Sequence, residues 1–189
     1  MLTVFTIGHS TRELEEFLEI LRVHSIDEIV DVRRYPGSKR YPQFGSDSLR
    51  RSLAAAGIRY RHEPDMGGRR TARKDSPHTA WRSASFRAYA DHMESPPFQA
   101  RLEVLIETAA AERQAIMCAE AVPWRCHRQL ISDALTARGV EVCHILGKGR
   151  ADRHALNPHA VVTADGGVAY PSAMADADPA AGQTELPLG

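Results

Sequence analysis

The stretch Cys118-Ala-Glu-Ala-Val-Pro-Trp-Arg-Cys-His-Arg128 gathers two thiols, a carboxylate, an imidazole and two guanidinium groups within eleven residues. Gln114–Cys118 before it is a short apolar run and Gln129–Arg138 after it has helical spacing, so the chemistry sits on a strand-to-helix loop. In an open parallel sheet such loops lie at the carboxyl ends of strands, where ligand sites collect. Cys126 falls at the expected first turn of the helix, flanked by Arg125, His127 and Arg128, and the helix dipole and these cations favour its thiolate. Cys118 precedes Glu120, a carboxylate suited to general-base work, with His127 as a second acid–base partner. Cys118 reads equally as a small apolar residue packed at a strand end.

Other chemistries fit these spacings less well. A cysteine-phosphatase loop needs five residues between Cys and Arg, and Cys118 to Arg125 leaves six with no glycine. Cys118, Glu120, Cys126, His127 and His9 are ligand types that zinc or iron accepts, yet no Cys-x-x-Cys occurs. Consecutive Cys126 and His127 on a helix would also point apart. A hydrogen-bonded polar cluster is therefore the favoured reading, with no metal ligand and no cofactor assigned. Gly67-Gly68 lacks the longer pattern of a phosphate-binding loop and reads as a turn. Trp81 and Trp124 read as partly buried side chains in preference to stacking platforms.

The elements that would position this loop alternate in type. Val4–Ile7 reads as a buried strand ending at Gly8-His9-Ser10; Ser10 and Glu13 form a capping-box pair ahead of a helix with Leu14, Phe17, Leu18 and Leu21 on one face. Glu28–Arg33 is a second strand, closed by Tyr35-Pro-Gly-Ser38. Ser46 or Asp47 can cap a helix carrying Leu49 and Leu53, which Gly57 stops. Ile58–His62 is a short third strand, residues 70–84 a basic, polar loop. Two helices follow, one opening at Ser85 and the next, after Pro96-Pro97, carrying Phe98, Leu102 and Leu105. The strand to Cys118 and its helix, stopped by Gly139, lead to Val140–Ile145 as the last core strand. Val161–Thr163 and Val168–Tyr170 flank Asp165-Gly-Gly167 as a small hairpin. The expected fold is α/β: a three-layer, mainly parallel sheet with helices on both faces, plus that C-terminal hairpin.

In this arrangement His9 and Ser10 end the first strand and Arg33 the second, facing one crevice with Cys118 and Glu120. Arg33, Arg69 and Arg128 converging there would grip an anion bidentately, with Gly68 at the wall and Asp31 and Glu120 as neutralising partners.

Composition sets the wider frame. The 189 residues, 43% hydrophobic, suit one α/β domain over 1–170 with a disordered Ala-, Asp-, Pro- and Gly-rich tail over 171–189. No apolar run reaches membrane-spanning length, the start lacks signal-peptide character, and three unscaffolded cysteines suit a reducing compartment, so a cytoplasmic protein without a membrane partner is expected. Net charge is zero, yet residues 1–32 carry seven acidic and two basic side chains, whereas residues 33–74 carry twelve Lys or Arg against Asp47, Glu63 and Asp65. That asymmetry reads either as solvated surface or as an anion-binding face.

Thr6-Ile-Gly-His-Ser10, Val30-Asp-Val-Arg33 with Pro36 and Ser38, Met66-Gly-Gly-Arg69, Cys118-Ala-Glu120, Cys126-His-Arg128 and His144-Ile145 together resemble the domain-of-unknown-function family 488 over about residues 3–170. The resemblance implies an α/β domain whose shared polar residues gather at one edge, and no established reaction. At the far end, Gln183-Thr-Glu-Leu-Pro-Leu188 resembles the bacterial sliding-clamp-binding peptide, with Gln183, Leu186 and Leu188 as anchors and Gly189 where a Phe is common. The expected function is a cysteine-dependent hydrolase or transferase acting on a phosphate-bearing or nucleic-acid-derived substrate. The alternatives are a non-catalytic DNA-associated module tethered to the clamp, and a metal-binding protein. The partner is accordingly an anionic small molecule or a nucleic acid.

Overall fold

The computed structural model describes residues 2–37 and 39–172; Ser38 and the clamp-like Gln183, Leu186 and Leu188 lie outside the described residues. Six strands form one sheet: β1 (Thr3–Gly8), β2 (Glu28–Asp31), β3 (Arg59–His62), β4 (Gln114–Cys118), β5 (Glu141–Gly147) and β6 (Arg150–Arg153), in the order β3-β2-β4-β1-β5-β6. All neighbours are parallel except β5 and β6. Strands β7 (Val161–Val162) and β8 (Val168–Ala169) make the small antiparallel hairpin.

Strand alternation explains the three layers. Phe5, Ile7, Ile29, Ala115, Met117 and Ile145 point to one face, where α1 (Leu14–Val23) and α2 (Ser46–Ala55) cover them with Phe17, Leu18, Leu21, Leu49 and Leu53. Val4, Val30, Val32, Ile116 and Val142 point to the other. There α3 (Ala84–Met93), α4 (Pro96–Thr108) and α5 (Arg128–Ala137) bring Tyr89, Phe98, Leu102, Leu130, Ile131 and Leu135. Each fully buried Leu or Phe contributes on the order of 2 kcal/mol. Among the described residues no helix is long and apolar enough to cross a membrane.

The helix stops follow the sequence signals. Gly57 and Gly139 adopt φ +74° and +76°, and Ile58 N–H and Val140 N–H close back on Leu53 and Leu135 carbonyls at 2.9 and 3.1 Å. The starts do not. Glu13 and Gly45 occupy the positions before α1 and α2, and neither helix has a side-chain cap. Ser10 cannot cap α1 because the chain turns at it with φ +52° and its N–H is drawn to Ala119 O, 2.9 Å away.

The edge strand β6 is absent from the sequence reading, which ends the core sheet at β5. Its residues, Arg-Ala-Asp-Arg, are all exposed and offer no apolar alternation. The missed signal was the two-residue link Lys148-Gly149, with Gly149 at φ +68°.

Chains leaving β1 and β2 pass to the α1–α2 face, whereas the one leaving β4, between them, passes to the other. The carboxyl end of β4 is thus a topological switch point, the place where open α/β sheets open a crevice.

Candidate functional site

A cavity of about 630 Å³ opens at that switch point. It is walled by segments after three strand ends: His9-Ser-Thr11, Arg33-Arg-Tyr35 and Cys118-Ala-Glu-Ala121. The loop Gly68-Arg69, the start of α3 and Arg125-Cys-His127 complete it. Strand pairing is carried past the sheet into the walls, since His9 N–H reaches Cys118 O at 3.0 Å and Val32 N–H reaches Met117 O at 3.0 Å. Gly8 makes the approach possible: a Cβ there would meet Glu120 O at 1.8 Å, so any side chain would expel the loop.

At the floor stand Cys118 and Cys126, 8% and 4% exposed. Cys126 does not lie in the first helical turn, as its spacing suggests. It is extended (φ −137°, ψ 150°), and His127 is the residue preceding α5. This break in conformation brings the two neighbouring side chains together instead of apart, with Cys126 Sγ 3.7 Å from His127 Nδ1. His127 Nε2 lies 3.1 Å from the Val32 carbonyl, which only accepts. Nε2 therefore carries the hydrogen, and Nδ1 turns its lone pair to the thiol. The sulfurs of Cys118 and Cys126 and Nδ1 of His127 all lie within 4.8 Å of one another.

A hydrogen bond from the Cys118 thiol, helped by the His127 ring, holds Cys126 well below the ordinary thiol range against the opposing effect of burial. The same partner, together with burial, pushes Cys118 well above it. Cys126 is thus the more acidic thiol of the pair, the one that ionises first, and Cys118 the one that stays protonated. Cys143, expected inside the last strand, is only half-buried, and burial raises it too.

The expected arginine clamp divides into two groups. Arg33 is buried and spent on neighbours: Nε and Nη2 donate to the Asp31 carboxylate at 2.8 and 2.6 Å, Nη2 also to Phe44 O, and Nη1 to His9 Nε2 at 3.2 Å. Arg128 is 1% exposed and outside the cavity lining. Its guanidinium donates to Thr6 Oγ1 at 3.1 Å and to Glu120 O at 2.5 Å, bracing the loop from beneath. Its convergence on an anion is corrected by this placement: a helix residue directed inward by α5's amphipathic pattern has its head in the protein, where Thr6 Oγ1 and the Glu120 carbonyl engage Nη1 and Nη2 while Nε has no partner among the described residues. Arg69 is at the rim with φ +58°. Arg34 and Arg125, which the spacing argument did not place in the clamp, join it there; none of these three has a carboxylate partner among the described residues.

His9 stacks on Phe44 at 4.3 Å, donates from Nδ1 to Ser10 O at 2.9 Å and accepts from Arg33. Burial, then the Arg33 charge, lowers it to about 4. With both nitrogens engaged, it orients Arg33. Glu120 is an exposed rim residue. Gly68 lies over the His127 ring, and a Cβ there would come within 3.2 Å of Nδ1. Tyr35, Phe86 and Tyr89 also line the cavity, although no sequence signal pointed to them. Trp124 is 61% exposed, against the reading of a partly buried ring. Elsewhere in the basic stretch, Arg59, Arg61 and Arg73 pair with Glu112, with Glu28 and Glu63, and with Asp91 and Glu94, so much of its charge is answered internally.

A family model described as domain of unknown function DUF488 matches residues 13–135. The chain belongs to that family. The matched stretch contains Val30–Arg33, Met66–Arg69, Cys118–Glu120 and Cys126–Arg128, whereas Thr6–Ser10 and His144–Ile145 lie outside it. Neither the curated proteins nor the solved structures give a match.

Proposed function

We propose that this DUF488 protein is a cysteine-dependent hydrolase or transferase for a phosphate-bearing or nucleic-acid-derived substrate, with Cys126 as nucleophile. One observation carries the reading: Cys126 Sγ faces the free lone pair of His127 Nδ1, whose ring is fixed through Val32, at the floor of a cavity rimmed by Arg34, Arg69 and Arg125. Nδ1 accepts the thiol proton, leaving sulfur to attack the electrophilic centre while Nε2 keeps its hydrogen on the Val32 carbonyl. The S–substrate bond forms as the leaving group departs with the proton from Nδ1. Water, or an acceptor alcohol or amine, then cleaves the thio-intermediate and returns the proton to sulfur. The rim arginines hold the substrate's anionic group, and Cys118 donates to the Cys126 thiolate.

The test is mass-spectrometric alkylation by iodoacetamide at neutral pH with a chelator present. Cys126 is expected to label faster than Cys118 and Cys143, and inorganic phosphate or pyrophosphate to slow it. His127→Ala should remove the advantage over Cys143 while the far-ultraviolet spectrum stays unchanged. A Cys126 no more reactive than Cys143 in the wild-type protein overturns the proposal.

A further inference from the structure

Backbone geometry at one residue brings together three ligand atoms that the sequence separates. Side chains of consecutive helical residues diverge by about 100°. Cys126, being extended, escapes that rule and shares a small volume with His127 Nδ1 and with Cys118 Sγ arriving from the end of β4. Tetrahedral zinc, with bonds of about 2.3 Å to sulfur and about 2.0–2.1 Å to nitrogen, sets roughly 3.6 Å between sulfur and nitrogen and roughly 3.8 Å between two sulfurs. The Cys126–His127 separation is 3.7 Å, and all three atoms fit within 4.8 Å.

We infer that Cys118, Cys126 and His127 form a three-ligand site for a soft divalent cation, zinc foremost, whose fourth position opens into the cavity. The donor set selects the class of ion: two thiolates and an imidazole suit zinc and exclude the hard cations that require oxygen ligands. Two thiolates cancel the charge of a divalent ion, so the occupied site places no net charge among residues this buried. Val32 supplies the outer hydrogen bond, holding Nε2–H so that Nδ1 is the ligating nitrogen. Gly68 keeps the approach open, because a side chain there would crowd Nδ1. The inference uses the same side chains as the thiol proposal but is separable from it: a bound ion engages the sulfur lone pairs and shields Cys126 from electrophiles.

The experiment takes the full chain freed of metal by a chelator. It is titrated with zinc in competition with a chromophoric chelator, and separately with cobalt(II) read in the visible and near-ultraviolet. Iodoacetamide labelling is repeated before and after loading. Expected are one equivalent bound, the intense d–d bands of tetrahedral cobalt with sulfur-to-cobalt charge transfer, and labelling of Cys126 suppressed at least about tenfold. Cys118→Ser and His127→Ala should each weaken zinc binding by about tenfold or more, and Cys143→Ser should leave it unchanged. The cobalt spectrum of the wild-type protein reports thiolate ligation even if a variant fails to fold. No binding at micromolar zinc, with Cys126 labelling freely, overturns the metal site and leaves the thiol proposal standing. Binding that survives both ligand substitutions, or is lost with Cys143, also overturns it. Binding as expected, with Cys126 inert even after metal removal, supports the site and overturns the thiol proposal.

Discussion

Two polar clusters adjoin the same core layer, and they are built on opposite principles. One runs from Arg128 through Thr6, His144 and His154 to Asp133. Arg128 Nη1 donates to Thr6 Oγ1, Thr6 to His144 Nδ1 at 2.8 Å, His144 Nε2 to His154 Nδ1 at 2.9 Å, and His154 Nε2 to Asp133 Oδ1 at 2.8 Å. Asp133 also accepts from Tyr170 OH at 2.8 Å and Asn157 N–H at 2.9 Å. Every link has one donor and one acceptor, and each imidazole uses one N–H and one lone pair, so the chain from Thr6 to Asp133 is saturated, and Nε of Arg128 at its head is the one group of the series with no partner among the described residues. The other cluster, Cys118, Cys126 and His127, ends at a cavity with sulfur and nitrogen lone pairs left over. The first fastens the segment after β5 to the core; the second has valence to spare for a ligand. Arg128 joins them, bracing the site loop with the end of the saturated chain.

Removing the sink of the saturated chain should have the largest effect. Asp133→Ala strands two buried donors, His154 Nε2 and Tyr170 OH, besides the half-buried Asn157 N–H, and at about 1–3 kcal/mol for each buried unsatisfied group the loss should exceed about 2 kcal/mol in urea unfolding. A loss below about 1 kcal/mol would mean that water replaces the carboxylate and that the chain does not anchor the segment. The same variant should leave Cys126 labelling at low temperature unchanged, which separates the two clusters.

Acid should act on the saturated cluster next. Burial, then His154 and Arg128, with Asp152 opposing, lowers His144 from 6.5 to about 3. Between those values the unfolded chain takes up a proton that the native ring refuses. The contribution of His144 is therefore complete above about pH 6.5 and is lost as pH falls towards about 3. His9, at about 4, adds a slope of the same sign. His144→Gln should be less stable at neutral pH yet show a shallower decline on acidification. Parallel curves for the two proteins would assign the acid sensitivity elsewhere.

The open cluster should respond to access more than to stability. Gly68→Val places a side chain beside Nδ1 and should slow Cys126 labelling about tenfold, a barrier increase of about 1.4 kcal/mol, with little change in melting temperature. An unchanged rate would show that reagents approach from another wall. Arg69→Ala should give the smallest effect. An exposed charge contributes about 0.2–1 kcal/mol, so phosphate protection of Cys126 should weaken by no more than about fivefold, and less in high salt. Protection insensitive to Arg69, Arg34 and Arg125 together would remove the anion-binding role of the rim.

The same contrast divides what the sequence reveals from what it hides. Local rules located the strands other than β6, the apolar helix faces and the stops at Gly57 and Gly139, because these depend on side-chain period and on a φ that glycine reaches cheaply. The loop after β4 was legible as a site from residue types alone. Its geometry was not, because one extended residue at 126 reverses the angle between neighbouring side chains. Burial separates the arginines: Arg33 and Arg128 look like Arg34 and Arg125 in sequence, and partners distant along the chain, such as His9 for Arg33 and Thr6 for Arg128, decide which are spent internally. The saturated chain was invisible because Thr6 and His144 are 138 positions apart, and no periodicity links them.

Both borders of the sheet carry charge: Arg59 and Arg61 on β3, and Arg150, Asp152 and Arg153 on β6. An edge strand normally offers a row of unpaired amides to any passing chain, and ionised side chains along it make that docking costly. Lateral growth into a continuous intermolecular sheet is therefore disfavoured at either end. Replacing the arginines of β6 with valine would remove that protection and create a nucleus for ordered aggregation.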